Sequence, residues 1–169
     1  GQQISVKAAN VLAGRIAKKY GEPLETGVAG LTHAFPTAAD VLALGNGIEE
    51  AWGALGVTTS RLRCILALAA ALESGAVTLG GSADPQREIE KLMRISGIGR
   101  WTANVIAMRT MGWPDAFFET DAALKRALPS FTVRELAQVA EEWRPWRSYA
   151  AMNLWNSQRA TCGGKEEIE

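Results

Sequence analysis

The apolar residues of this chain recur at the three-and-four spacing of a helix, segment after segment, and Gly or Pro closes almost every segment. A helix that hides one stripe repeats it about every 3.6 residues, whereas a half-buried strand alternates. Residues Ile4–Tyr20 put Ile4, Ala8, Val11, Leu12 and Ile16 on one stripe, with Lys7, Arg15 and Lys18 largely off it, and Gly21 and Pro23 end the run. Residues 21–35 are rich in Gly and polar side chains and read as a loop. Thr37-Ala38-Ala39-Asp40 is patterned as a capping box, in which two side chains satisfy free N–H groups at a helix start, ahead of a short helix Ala38–Leu44. Gly45-Asn46-Gly47 breaks it, Ile48–Leu55 forms another short helix, and Thr59–Glu73 is a strongly apolar one. Asp84-Pro85 marks the next start, Asp as cap and Pro in the first turn, with Ile89, Leu92 and Met93 as the apolar face. After Ser96-Gly97-Ile98-Gly99 a helix runs from Arg100 to Met111 and stops at Trp113-Pro114. Ala116–Thr120 is expected to be extended, Asp121–Leu128 helical, Val133–Glu142 helical behind the capping box Thr132-Val133-Arg134-Glu135, and Pro145 opens a last helix through Gln158. No strand pattern of useful length competes, so the fold class is all-α, a multi-helix domain of about eight or nine short helices.

With 169 residues the chain has about one domain's worth of sequence and enough length for a hydrophobic core without disulfide or metal staples. The expected domain covers 1–160, with a Gly-rich, charged and flexible tail over 161–169. No apolar run approaches the roughly 18–20 residues that span a bilayer, and no charged-then-apolar leader is present. The first residue is Gly rather than Met, which suggests a fragment of a longer protein. Cys64, in an apolar run, is expected to be a small core residue, and Cys162 lies in the polar tail; neither makes a metal spacing. His33 is expected to be an ordinary loop residue, and one His with two Cys excludes a zinc site built from them. Basic and acidic residues balance at 18 each, which weighs mildly against a nucleic-acid partner unless the basic ones cluster.

The most informative local feature is the turn Ser96-Gly97-Ile98-Gly99 between two helices. Glycine accepts positive φ and lets the chain reverse sharply. It also leaves backbone N–H groups uncovered at the next helix start, where an anion such as a DNA phosphate can approach. Ile98 would plug the turn into the core, and Arg94 and Arg100 flank it. A plain helix–helix turn with a Gly cap accounts for the same residues, and spacing alone leaves both readings open.

The run Leu92-Met93-Arg94-Ile95-Ser96-Gly97-Ile98-Gly99-Arg100-Trp101-Thr102-Ala103-Asn104 resembles the helix–hairpin–helix of base-excision DNA glycosylases. Glu119-Thr120-Asp121 looks like the catalytic aspartate segment of that superfamily. Trp143-Arg144-Pro145-Trp146-Arg147-Ser148-Tyr149-Ala150 looks like a signature of the 3-methyladenine DNA glycosylase II (AlkA) type, and Gly1-Gln2-Gln3-Ile4-Ser5 also resembles that family. The resemblance implies the helix–hairpin–helix glycosylase fold and excision of alkylated bases, of the 3-methyladenine and 7-methylguanine kind, from double-stranded DNA in base-excision repair. It implies a bacterial, cytoplasmic, nucleoid-associated monomer, with no cofactor required. In its relatives a β-rich amino-terminal domain or an Ada-like fusion partner accompanies this part.

By the same resemblance Asp121 is the catalytic carboxylate, and Trp101, Trp155 and Val105 line the base pocket, Val105 standing where the best-known relatives carry a tyrosine. Gln3, Gly97, Gly99, Arg100 and Thr102 would meet DNA, Gln3 as the wedge that fills the gap left by the flipped base, although relatives often use Leu there. The backbone carbonyls of Met93, Ile95 and Ile98 would hold a structural Na+ or K+.

Local sequence alone reads Asp121 as a helix cap. Cleaving an N-glycosidic bond builds positive charge on the sugar, which a nearby carboxylate stabilises. Glycosylases that also nick the strand use a lysine where this chain has Trp101, and an indole cannot form a Schiff base; abasic-site lyase activity is therefore not expected. Of six tryptophans, Trp52, Trp113 and Trp143 are expected to fill the core. Arg100, Lys125, Arg126, Arg144 and Arg147 are candidates for a local DNA-facing patch, with solvated helix faces as the plain reading. A non-catalytic helix–hairpin–helix DNA-binding module, which needs neither Asp121 nor the tryptophans, and a helical interaction domain are the alternatives.

Overall fold

The computed structural model describes residues 4–163, with side chains to Ser157, and divides the chain into two compact units. Among the described residues, the first comprises 4–78 and 94–98, the second 79–93 and 99–163. Nine α-helices and no strand occur among the described residues, and none of these helices is long and apolar enough to cross a membrane.

The first unit holds α1 (Val6–Tyr20), α2 (Ala38–Ala43), α3 (Ile48–Gly53) and α4 (Thr59–Glu73). Helix α1 starts two residues later than periodicity suggests, because the Ser5 hydroxyl accepts the Ala8 N–H at 3.1 Å and caps it. Its buried stripe is also narrower: Ile16 is buried and Leu12 half-buried, but Ala8 and Val11 are exposed. The core gathers Ile16, Val41, Ile48, Trp52, Val57, Leu62 and Ala69, with Tyr20 stacked on Trp52 at 6.0 Å. The expected capping box at α2 is formed: Thr37 Oγ1 accepts the Asp40 N–H at 3.2 Å, and Asp40 Oδ2 accepts the Thr37 N–H at 2.9 Å. The loop after α1 folds back through an antiparallel bridge between Pro23 and His33. Gly21 permits this closure, since a Cβ there would stand 1.8 Å from the Ala34 carbonyl oxygen. His33 stays a loop residue, its Nδ1 2.9 Å from the Thr32 hydroxyl. Cys64 on α4 is half-buried, and burial pushes its thiol above the usual range.

The second unit holds α5 (Pro85–Met93), α6 (Arg100–Thr110), α7 (Ala122–Ala127), α8 (Val133–Ala140), a 3₁₀ turn over Glu141–Trp143 and α9 (Arg147–Gly163). Asp84 Oδ1 accepts the N–H of Gln86 at 3.0 Å, the cap expected from Asp84-Pro85. The expected box at α8 is present, with Thr132 Oγ1 accepting from Glu135 N and Glu135 Oε2 accepting from Thr132 N. The core gathers Met108, Ala116, Phe117, Phe118, Leu124, Leu136, Ala140 and Ala151. Trp113 and Trp143 pack against it, as Trp52 fills the core of the first unit.

Three expectations need correction. The segment Ala116–Thr120, expected to be extended throughout, turns at Glu119 and Thr120, with the Asp121 N–H on the Phe118 carbonyl at 2.8 Å and Phe117 and Phe118 buried. The helix expected over Val133–Glu142 tightens into the 3₁₀ turn after Ala140. Helix α9 begins at Arg147 rather than Pro145, after a cis Arg144–Pro145 bond, and runs to Gly163, past the start of the expected tail.

Candidate active site

Asp121 is a helix cap and more than a cap. Its Oδ1 accepts the N–H groups of Ala123 and Leu124 at 2.8 and 3.0 Å, which satisfies two donors at the start of α7. The indole Nε1–H of Trp155 also donates to Oδ1, at 3.0 Å, and that of Trp101 donates to Oδ2, at 2.9 Å. Four N–H donors therefore fix the orientation of one half-buried carboxylate. Trp101 comes from the first turn of α6 and Trp155 from α9, 20 and 34 residues away in sequence.

Phe118 lies beneath both indoles. It is 1% exposed, stacks on Trp155 at 5.3 Å with 27° between planes, and meets Trp101 at 6.4 Å with a tilt of 56°. Sequence reading missed Phe118 as a site residue; its one signal is its place three positions before the aspartate. Val105, one turn beyond Trp101 on α6, packs against the same core. Asp121, Trp101, Trp155 and Val105 thus lie within one unit around one core.

At the hairpin, Gly97 has φ +93°, and a Cβ there would stand 3.1 Å from Cys64 Cβ and 3.2 Å from its Sγ. Turn geometry and packing account for this glycine without a ligand. Gly99 differs: its φ is −88°, and nothing lies within 4 Å of where its Cβ would be. It is the N-cap of α6, yet no side chain caps the helix there. Ile98 is buried as expected, and its N–H bonds to the Ile95 carbonyl at 3.0 Å. Arg100 is exposed and Thr102 half-buried, and Gln3 lies outside the described residues.

The basic candidates separate sharply. Arg100, Lys125 and Arg126 are exposed. Arg147, by contrast, is 8% exposed and commits its guanidinium to Asp115, which is 7% exposed: Nε to Oδ1 at 2.7 Å and Nη2 to Oδ2 at 2.8 Å. Its Nη1 reaches Glu141 at 2.9 Å, and Arg144 joins Asp115 at 2.5 Å and Glu141 at 2.6 Å. The hydrogen bond from Arg144, followed by the field of both arginines, holds the Glu141 carboxyl below its usual range. Arg147 is therefore withdrawn from the candidate DNA-facing patch, because a buried charge must be paired, and Arg144 is tethered. Asp115 carries no local sequence signal, since its partner lies 32 positions on.

No family model matches the chain. It is 41% identical over 161 residues, 92% of its length, to a probable bifunctional transcriptional activator/DNA repair enzyme AlkA of Mycobacterium tuberculosis, of which it covers 31%. It is 34% identical over 158 residues, 94% of its length, to DNA-3-methyladenine glycosylase 2 of Escherichia coli, covering 54% of that protein. The chain thus spans about a third to a half of the curated relatives it matches. A solved structure of the 3-methyladenine DNA glycosylase Mag1 of Schizosaccharomyces pombe, in complex with abasic DNA, superposes with a TM-score of 0.74 at 22% identity, over 94% of this chain and 75% of that one. The fold is that of the helix–hairpin–helix DNA glycosylases. Within that class the chain is similar, over the part it spans, to the AlkA-type 3-methyladenine glycosylases.

Proposed function

We propose that this chain carries the catalytic part of a DNA glycosylase that flips alkylated bases out of duplex DNA and hydrolyses their N-glycosidic bonds. The observation that carries the reading is the Asp121 carboxylate held by two indole N–H groups. As the bond to the base breaks, positive charge grows on the deoxyribose. A carboxylate fixed in advance stabilises that charge without reorganising, and does so best where water is scarce. The indole rings of Trp101 and Trp155 offer stacking faces to an extruded base. An N3- or N7-alkylated purine is cationic, so a ring's negative face favours it by about 0.5–2 kcal/mol over a neutral base. Charge and a weakened glycosidic bond would then select damage, with broad and modest preference.

The uncapped start of α6 at Gly99 and the exposed Arg100 suit a DNA phosphate. The backbone carbonyls of Met93, Ile95 and Ile98 would hold a monovalent cation there; a set of neutral oxygens suits such a hard ion better than a transition metal.

Asp121→Asn tests the reading cleanly. Its side-chain oxygen still caps α7, because Asn is as good an N-cap as Asp, while the charge is gone and an amide N–H₂ meets an indole donor. Base release from methylated duplex should fall by orders of magnitude with duplex binding retained. Equal activity in the variant removes the mechanism, whereas duplex binding without base release by the parent favours the DNA-binding module. The enzyme is further proposed to leave an abasic site without nicking the strand, since Trp101 stands where a Schiff-base lysine is needed. Borohydride added during turnover should trap no covalent adduct, and a trapped adduct would contradict the assignment.

A further inference from the structure

The Asp121–Trp155 contact joins two segments that no helix or strand links directly, and the second unit shows what registers them. Residues 113–118 run without regular structure, so their carbonyls need partners from elsewhere. Four consecutive carbonyls find them on two residues of the first turn of α9. Ser148 shares its hydroxyl proton between the oxygens of Trp113 and Ala116, at 2.9 and 3.0 Å. The Ser148 N–H, left without an intrahelical acceptor at a helix start, donates to the Pro114 carbonyl at 2.8 Å. Arg147 Nη2 donates to the Asp115 carbonyl at 3.0 Å, beside its bonds to the Asp115 carboxylate. Arg147, Ser148 and Asp115 are all buried.

This knot has a consequence at each end. From Ala116 the chain passes through buried Phe117 and Phe118 and delivers Asp121. From Ser148, seven residues along α9 and so about two turns on the same face, the helix delivers Trp155. We infer that Asp115, Arg147 and Ser148 are positioning residues, whose knot sets the register between the Asp121 segment and α9 and thereby the carboxylate–indole geometry used in catalysis. This rests on the proposed role of Asp121. It assigns a function to the part of the Trp143–Ala150 motif that the base pocket does not use.

The test is Ser148→Ala, which keeps the backbone N–H bond to Pro114, with Asp115→Asn as a second variant that keeps the side-chain shape. The first readout needs no turnover: the Trp155 indole N–H cross-peak in a ¹⁵N-correlation spectrum, assigned with Trp155→Phe. In either variant it should move toward the position of a free indole, while the spectrum otherwise stays folded. The second readout is the single-turnover rate of base release from methylated duplex. It should fall about tenfold or more, as small misplacements of a reacting group do, while affinity for duplex changes less than about twofold. In an Asp121→Asn background the same Ser148→Ala change should cost less than about twofold, because the knot acts through that carboxylate. An unmoved indole peak, an unchanged rate, or an equal loss in both backgrounds overturns the inference. Full activity in Asp121→Asn alone overturns the catalytic reading beneath it, a result distinguishable from the others.

Discussion

The two units solve the same folding problem with different interiors. In the first, the buried side chains are apolar apart from Trp52, whose indole N–H is the buried side-chain polar atom found without a partner among the described residues. In the second, Glu88, Asn104, Asp115, Arg147 and Ser148 are all buried, and the candidate site sits on the same core. Apolar burial is non-directional and tolerates small shifts, whereas a buried polar group must meet its partner at one distance and angle. An interior tied by oriented bonds fits a unit that must hold a carboxylate against two indole N–H groups. The apolar interior has no such duty to perform.

The largest effects should follow that division. Arg147→Met leaves the Asp115 carboxylate buried with one guanidinium fewer, and removing one partner of a buried pair costs about 3–5 kcal/mol. Trp52→Phe in the first unit removes an N–H that has no bond to lose, and should cost no more than about 1–2 kcal/mol from lost volume. Denaturant midpoints of the two variants decide the matter. Equal losses would break the contrast, and a larger loss for Trp52→Phe would reverse it.

What the sequence discloses follows the same line. Caps were legible at Thr37, Asp84 and Thr132, because a cap is a contact over two or three residues. The span Thr59–Glu73 was legible to the residue, since every residue from 64 to 72 is apolar. Periodicity located the face of α1 but not its edges: Val11 is 48% exposed, because how much of a stripe is covered depends on the neighbouring element. The site was legible only through a resemblance, which named Asp121, Trp101 and Trp155. Nothing local says that Trp155 and Asp121 meet across 34 positions, that Phe118 underlies both indoles, or that Arg147 is spent on Asp115 rather than on DNA. Long-range polar pairing has no period, so composition and spacing cannot reveal it.

The smallest expected effect concerns what the units share. Each carries a capping box with a depressed carboxyl: Asp40 through the hydroxyl and backbone N–H of Thr37, Glu135 through the backbone N–H and hydroxyl of Thr132. A carboxyl whose folded value lies below its unfolded one adds stability at pH above the unfolded value, and this is lost as pH falls through the folded value. Asp40→Asn and Glu135→Gln should therefore each lower the melting temperature slightly at neutral pH. The gap from the parent should close on acidification below the ordinary carboxylate range, where the parent's own carboxyls take up protons. Both boxes are exposed to solvent, so added salt should narrow both gaps at neutral pH. A gap that persists unchanged into acid would mean that shape rather than charge holds the box. If the gaps close in one unit only, the difference between the two interiors extends to their surfaces.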